Sequence, residues 1–375
     1  MLRTILCATA TVALTAAGAM AETVKIANIA ELSGAGAAAG TVWADGVHLA
    51  IDEINAEGGI LGMQVEMAEY DSQTDPLQSR ALVQKAIDEG AFALLGTVYS
   101  SSTVVNMLVA QQNGIPQFTG SEAPSITDKG NPYIFRTTFG AQKGMPKIAA
   151  YLKDGLGVSD VAIVWANTEY GKGGYDAFVA VAEEQGLKVV ADVPTEQGQA
   201  DFSADVLRVK NSGAEAVFVY LTEEESARFL IEAAKQHLEI PRLGDTVLGS
   251  QKVIDLAGSA AEGTLSHVGL SADAPVPLLT EMSERFAERF GYRPDHNAIK
   301  GYIGAYAIKY GAEIAGEIDS QALADAVHGL CLDPAEHPGV LMEICWDEAG
   351  EVSRESFLVE IRNGMQTISQ TLPAN

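Results

Sequence analysis

The sequence predicts an α/β protein of two lobes, each a parallel sheet covered by helices on both faces. Short apolar runs of strand length alternate with helical patterns from Val24 to Phe118, which is the rhythm of a parallel sheet. A Gly-, Pro- and Ser-rich stretch over 119–132 then breaks that rhythm, and a second alternating series restarts after Thr138. Beyond Gly263 the pattern changes again, with more helix than the second series can carry, so the chain is expected to return to the first lobe and cross once more near its end. At 375 residues there is room for two cores.

Taken in order, residues 1–21 read as a secretory leader. Arg3 is its positive end, 5–17 its apolar centre and Ala19-Met20-Ala21 a small-x-small cleavage site, so a free chain starting near Glu22 is expected in the periplasm. The strand 24–30 leads through Leu32-Ser33-Gly34-Ala35-Gly36 into a helix over 43–57 with Val47, Ala50, Ile51 and Ile54 on one side; Gly58-Gly59 stops it. Strand 63–70 ends at an acidic loop in which Asp75 caps and Pro76 opens the helix over 77–89. The run Ala91-Phe-Ala-Leu-Leu-Gly96 reads as a buried central strand, followed by Thr97 to Thr103 as a turn and a helix over 104–112. Strand 115–118 ends in Thr119-Gly120-Ser121-Glu122.

In the second series, helices over 142–154, 171–185, 201–212 and 223–236 alternate with strands at 161–165, 187–192, 216–220 and near 241–243, and a short helix lies near 253–256. Helices over 277–290, 297–315 and 320–330 and strand-like runs at 341–346 and 357–362 complete the chain. The expected lobes are 22–138 with about 266–345, and 139–265 with about 346–375.

Charge narrows the classes of partner. The formal net charge is −26, and removal of Arg3 with the leader takes Lys+Arg from 24 to 23 against 50 acids, or −27. Such a surface argues against nucleic acid or an anionic membrane as partner. Of the 3 cysteines, Cys7 lies in the leader, leaving Cys331 and Cys345 as a candidate disulfide in an oxidising compartment, the alternative being two buried thiols. Closing that loop is worth about 3 kcal/mol on the chain-entropy estimate.

The chemistry points to capture of a small molecule. Turns after adjacent parallel strands open on one sheet edge, so Tyr99-Ser100-Ser101-Ser102 and Gly120-Ser121-Glu122 offer hydroxyls and unpaired helix N–H groups to an anionic group. Tyr170, after strand 161–165, is a candidate to close over an apolar body, or else ordinary interlobe packing; Trp43 and Tyr99 are further aromatic candidates or plain core. Glu122 and Asp245 are the preferred carboxylates for a ligand ammonium, whereas Glu223-Glu224-Glu225 reads as a solvated first helical turn. Gly34, Gly36 and Gly40 are spaced one residue too widely for a dinucleotide fingerprint, and neither a P-loop, an H-E-x-x-H motif nor a nucleophile elbow occurs, so no cofactor, metal or catalytic residue is expected.

Several segments resemble the leucine/isoleucine/valine-binding proteins. They are Leu32-Ser33-Gly34, Asp52-Glu53-Ile54-Asn55-Ala56-Glu57-Gly58-Gly59-Ile60, Tyr70-Asp71 with Asp75-Pro76, and Ser100-Ser101-Ser102-Thr103. So are Phe135-Arg136-Thr137-Thr138, Tyr170-Gly171, Asp201-Phe202-Ser203, Ala261-Glu262-Gly263 and Trp346-Asp347. The resemblance spans essentially all of the chain after the leader. It implies a type I periplasmic solute-binding protein: two Rossmann-like lobes, three crossovers forming a hinge, closure over an amino acid, and delivery to the membrane subunits of an ABC permease. It also implies a monomeric non-enzyme.

Carried over by position, Ser100 and the turn at Gly120–Glu122 meet the ligand carboxylate, and Tyr170 meets the ligand from the second lobe. Three departures bear on the ligand, and a fourth on a disulfide. Glu122 stands where the family usually has threonine, the family's ammonium-binding glutamate falls near Thr246 with Asp245 beside it, and a first-turn tyrosine falls at Ala39. Thr74 and Tyr99 occupy the places of a disulfide found in some members. A differently oriented amino acid, or a ligand of extra positive or amide character, fits these departures. Urea or a short amide, or a role as sensory partner of a membrane receptor, are the competing readings; a hydrolase using Ser100–Ser102 is the weakest.

Overall fold

The computed structural model describes residues 23–374, and the expected leader lies outside them. The first sheet is built from β1 (Thr23–Ala30), β2 (Gln64–Asp71), β3 (Ala93–Leu95), β4 (Gln117–Thr119) and β5 (Ile134–Arg136), ordered β2-β1-β3-β4-β5 and parallel throughout. Between them run α1 (Ala37–Ala56), α2 (Pro76–Asp88) and α3 (Ser100–Asn113). Asp75 accepts from the amides of Leu77 and Gln78 and Pro76 opens α2, so this start follows directly from local capping chemistry. β5 adds a strand beyond the four expected, from the Ile134-Phe135-Arg136 run.

After α4 (Ala141–Ala150), the second unit runs β6 (Asp160–Ala166), α5 (Glu169–Glu184), β7 (Lys188–Thr195), α6 (Ser203–Lys210), β8 (Ala216–Tyr220), α7 (Glu223–Lys235), β9 (Arg242–Gly244), α8 (Gln251–Ala257) and β10 (Leu265–Val268). Then come α9 (Pro277–Phe290), α10 (His296–Ala315), α11 (Ser320–Val327), β11 (Cys331–Leu332), β12 (Ile344–Trp346) and β13 (Val352–Ser353), and last β14 (Ser356–Arg362) and β15 (Met365–Leu372). The second sheet is ordered β15-β14-β10-β9-β8-β6-β7, with β14 antiparallel to both its neighbours β10 and β15, so it is mixed where a parallel sheet was expected. Strands β11, β12 and β13 form a small antiparallel sheet in which Cys331 faces Cys345, and the two are bridged.

The chain therefore passes between the two sheets after β5, after β10 and between β13 and β14. α9 to α11 pack with the first sheet in one apolar core that includes Trp43, Ile54, Phe118, Phe286, Ile303, Leu323 and Trp346. α10 is buried from His296 to Ala312, which suits its lack of a polar face. It crosses α1 with backbones almost touching. A side chain at Gly46 would strike the Ala298 carbonyl, and one at Gly301 the Trp43 carbonyl, at 2.1 and 2.4 Å. That close crossing drives the start of α10 into the gap between the sheets.

Two boundaries differ from expectation in ways that matter. α1 begins six residues before Trp43, because Ala37–Ala39 continue the helix at little entropic cost. The serine run is the first turn of α3 and not a loop before it, so its amides are the helix N-terminus itself.

Candidate functional site

Between the sheets, at the C-terminal edges of β3, β4, β6 and β8, lies a small cavity of about 40 Å³. Strand ends are where α/β sheets place their ligand sites. The starts of α3, α5, α7 and α10 all meet here: Ser100 and Ser101 on the first, Tyr170 on the second, Glu223 on the third, His296 and Asn297 on the fourth. Each helix start carries unpaired N–H groups and partial positive charge, so together they favour an anion and lower the cost of burying carboxylates.

On the first-lobe wall, Val98, Tyr99, Ser100, Ser101, Gly120 and Glu122 line the cavity. The Ser100 hydroxyl accepts from the Ala123 amide at 3.2 Å, which leaves its own proton free to turn toward a ligand. Gly120 has Trp43 directly beneath it, so a side chain there would meet the indole at 2.9 Å. Trp43 itself is fully buried, donates to Asn28 at 2.9 Å, and supports this floor without lining the cavity. Ser121 also faces away: its hydroxyl bonds Thr103 at 2.7 Å and the Val98 carbonyl at 2.8 Å. The turn is anchored from behind by Arg136, fully buried, which donates to the Ser121 and Ala123 carbonyls and pairs with Glu351 at 2.8 Å.

Glu122 is not free. Lys300, reaching down from α10, pairs with it at 2.6 Å, and both are nearly excluded from solvent. The sequence reading offered Glu122 as an ammonium partner; the structure gives it a resident cation instead. Asp245 lies one layer back, accepting the Tyr170 hydroxyl at 2.6 Å and the Val247 amide at 3.1 Å, and does not line the cavity. Burial, reinforced by the nearby Glu122, holds its carboxyl well above the ordinary range. Tyr170 does line the cavity, with its ring stacked on Tyr220 at 4.2 Å between centroids.

The second-lobe wall holds Thr168, Tyr170, Thr222, Glu223 and Val247. Here the expected solvated glutamate run is corrected. It does form the first turn of α7, capped by Thr222 and Glu225, but Glu223 and Glu225 are buried and only Glu224 faces outward. Glu223 enters the cavity, where Asn297 Nδ2 donates to its Oε1 at 3.3 Å, and burial pushes its carboxyl up to about 7. Glu31, at the end of β1, is likewise raised to about 7 by burial while it accepts the Val98 and Tyr99 amides, each at 3.2 Å.

Sequence reasoning thus pointed to Tyr99, Ser100, Ser101, Gly120, Glu122 and Tyr170, which the structure brings together around one cavity, and to Trp43, Ser121 and Asp245, which stand behind it. It passed over Glu223, His296, Asn297 and Lys300. A usable signal existed for the last three: Asp295 is an evident N-cap, and Lys300 is a cation within an otherwise apolar run.

A model of the periplasmic binding protein family matches residues 23–366, and the chain belongs to that family. It is 27% identical over 341 residues to the leucine-, isoleucine-, valine-, threonine- and alanine-binding protein of Pseudomonas aeruginosa, covering 90% of each chain. Its fold is that of type I periplasmic binding proteins. The branched-chain amino acid transporter substrate-binding protein LivJ of Streptococcus pneumoniae, solved with isoleucine, superposes with a TM-score of 0.85 at 22% identity over 94% of this chain and 99% of that one. A solute-binding protein of an ABC transporter from R. palustris, solved with benzoate, gives 0.86 at 21% identity over 94% and 97%. The same scaffold therefore carries an amino acid in one case and an aromatic acid in another, and the cavity residues have to decide between such ligands.

Proposed function

We propose that this chain is the periplasmic substrate-binding protein of an ABC importer and that it captures an amino acid in the cavity between its lobes. The leader would release it near Ala21 as a free monomer, and the membrane subunits of a permease would read its closed form. The observation that carries the reading is the polarity of the cavity: helix N-termini with the Ser100 and Ser101 hydroxyls on one wall, and on the other a carboxylate, Glu223, that forms no salt bridge among the described residues. The first suits a carboxylate and the second an ammonium.

Charge balance favours the same ligand over an aromatic acid. With Lys300 neutralising Glu122, an incoming zwitterion adds an ammonium beside Glu223 and a carboxylate at α3. A benzoate would bring a second negative charge into the cavity with the helix starts to receive it but no ammonium to offset Glu223. Closure would turn about the connections 137–140, 269–276 and 354–355, and contacts such as Ser125 Oγ to Glu169 at 2.5 Å link the lobes across the cleft. The test is calorimetric titration of ligand-stripped protein with the twenty amino acids, benzoate and 4-hydroxybenzoate. Heat from at least one amino acid is the expected result; heat from the benzoates alone would overturn the reading.

A further inference from the structure

Three polar groups in the cavity are left with unspent hydrogen-bonding capacity. Asn297 Oδ1 and His296 Nε2 are buried, lie on the cavity wall and have no hydrogen-bond partner among the described residues. Glu223, across from them, takes a bond from Asn297 Nδ2 at 3.3 Å and one from its own backbone amide, which leaves lone pairs to spare. The orientation of the Asn297 amide follows from that bond: turned over, its oxygen would face the carboxylate, so the Nδ2 side points to Glu223 and the Oδ1 side is the one left without a partner. Burial keeps His296 neutral, so its Nε2 is free to accept if the proton sits on the other nitrogen. Leaving such buried atoms unpaired is destabilising, a cost that a ligand bearing donors removes.

We propose that Glu223, Asn297 Oδ1 and His296 Nε2 form the subsite for the ligand's nitrogen, taking a group with two or more N–H donors: an α-ammonium, or a terminal amide or guanidinium. The inference rests on the amino-acid reading above and moves the recognition of nitrogen away from Glu122 and Asp245. Glu122 is already occupied by Lys300, and Asp245 by the Tyr170 hydroxyl and the Val247 amide. The chemistry is acceptor-rich in the way an N–H₂ or N–H₃⁺ group requires, and an aliphatic side chain would leave all three groups unpaired.

The subsite is also divided between the lobes. Glu223 begins α7, which packs on the second sheet, while His296 and Asn297 begin α10, whose core is shared with the first. In this structure the three stand together across the two lobes, so a ligand nitrogen held by them ties the lobes as well as determining specificity.

Full-length mature protein, unfolded and refolded to strip bound ligand, is titrated with leucine, glutamine, arginine, acetamide and urea, and with the des-amino analogue of whichever amino acid binds. Removing the α-amino group is expected to abolish binding if the α-ammonium fills the subsite. If the loss follows removal of the side-chain nitrogen instead, the amide or guanidinium fills it. Glu223→Gln is expected to weaken the nitrogen-bearing ligand about 30-fold while the des-amino analogue changes by less than about threefold. Asn297→Leu, which leaves every carboxylate in place, is expected to cost about tenfold and serves should Glu223→Gln fold poorly.

An acid-side loss of affinity below about pH 7, absent in Glu223→Gln, separates contact from mere support. The groups facing Glu223 are Asn297, Asp295 and Lys300 on α10, Glu31 and Tyr99 at the first-sheet edge, and Glu225 on its own helix. Retained amino-acid affinity in both variants overturns the subsite while leaving the amino-acid reading intact. Binding of benzoate with no nitrogen-bearing ligand overturns both.

Discussion

Glu122 and Glu223 enter one cavity from opposite lobes, and their surroundings could hardly differ more. Glu122 sits on a turn packed over Trp43, tied to Lys300 at 2.6 Å, behind which Arg136 and Glu351 pin the wall. Glu223 stands at a helix start, held by its own backbone amide and a 3.3 Å bond from Asn297, and burial raises its carboxyl to about 7. One carboxylate is a finished part of the protein, and the other is a partner in waiting. Counting acidic residues in a cleft therefore says little about its ligand; what counts is which of them the protein has already neutralised.

The sharpest way to break this contrast is to remove the resident cation. Lys300→Met leaves Glu122 buried and unpaired, and is expected to cost about 3–5 kcal/mol by urea unfolding. Lys300→Met with Glu122→Gln should recover most of that loss; a double variant as unstable as the single one would mean that Lys300 acts through packing, not charge.

The pH dependence of ligand-free stability probes the other carboxylate. Glu223 and Glu31 both rise from 4.5 to about 7 on folding, so the folded chain holds protons that the unfolded chain has released between those values. Their contribution is complete below about pH 4.5 and is lost as pH rises through about 7, each group amounting to roughly 3 kcal/mol. Glu223→Gln should flatten part of the decline in melting temperature between pH 5 and 8, with the raised Asp245 and Asp295 carrying their own share. An unchanged slope in Glu223→Gln would place the titrating groups elsewhere.

Smaller effects sharpen the assignment of the walls. Ser100→Ala removes the hydroxyl that accepts the Ala123 amide on the cavity wall, and is expected to weaken ligand binding about tenfold and, by leaving that buried amide unpaired, to cost about 1–2 kcal/mol of stability. Tyr170→Phe frees Asp245 from its 2.6 Å bond and is expected to cost about 1 kcal/mol of stability, read by denaturant titration. A Tyr170→Phe variant that lost affinity more than Ser100→Ala would shift the weight of recognition to the second lobe.

Much of the first lobe could be read locally. The Asp75-Pro76 start of α2, the apolar run of β3 and the serines after it are short-range signals, and the turn residues Ser100, Ser101, Gly120 and Glu122 follow from them because parallel strands end on one edge. Tyr170 was legible for the same reason in the second lobe. The glutamate run shows the limit. Its place at the start of α7 was evident, yet nothing in Glu223-Glu224-Glu225 says that Glu223 and Glu225 turn inward while Glu224 pairs with Arg228 outside.

By itself the sequence determined the alternation of strands and helices, the caps, the edge on which the ligand turns open and the resemblance that names the architecture. These depend on neighbours within a few residues, where backbone preference and apolar spacing act. Only the tertiary structure decided the charges of the site. Lys300 meets Glu122 across 178 positions, and Asn297 meets Glu223 across 74, because glycines let α10 press against α1 and enter the cleft. Whether a buried carboxylate is paired or left for a ligand depends on what packs beside it in space.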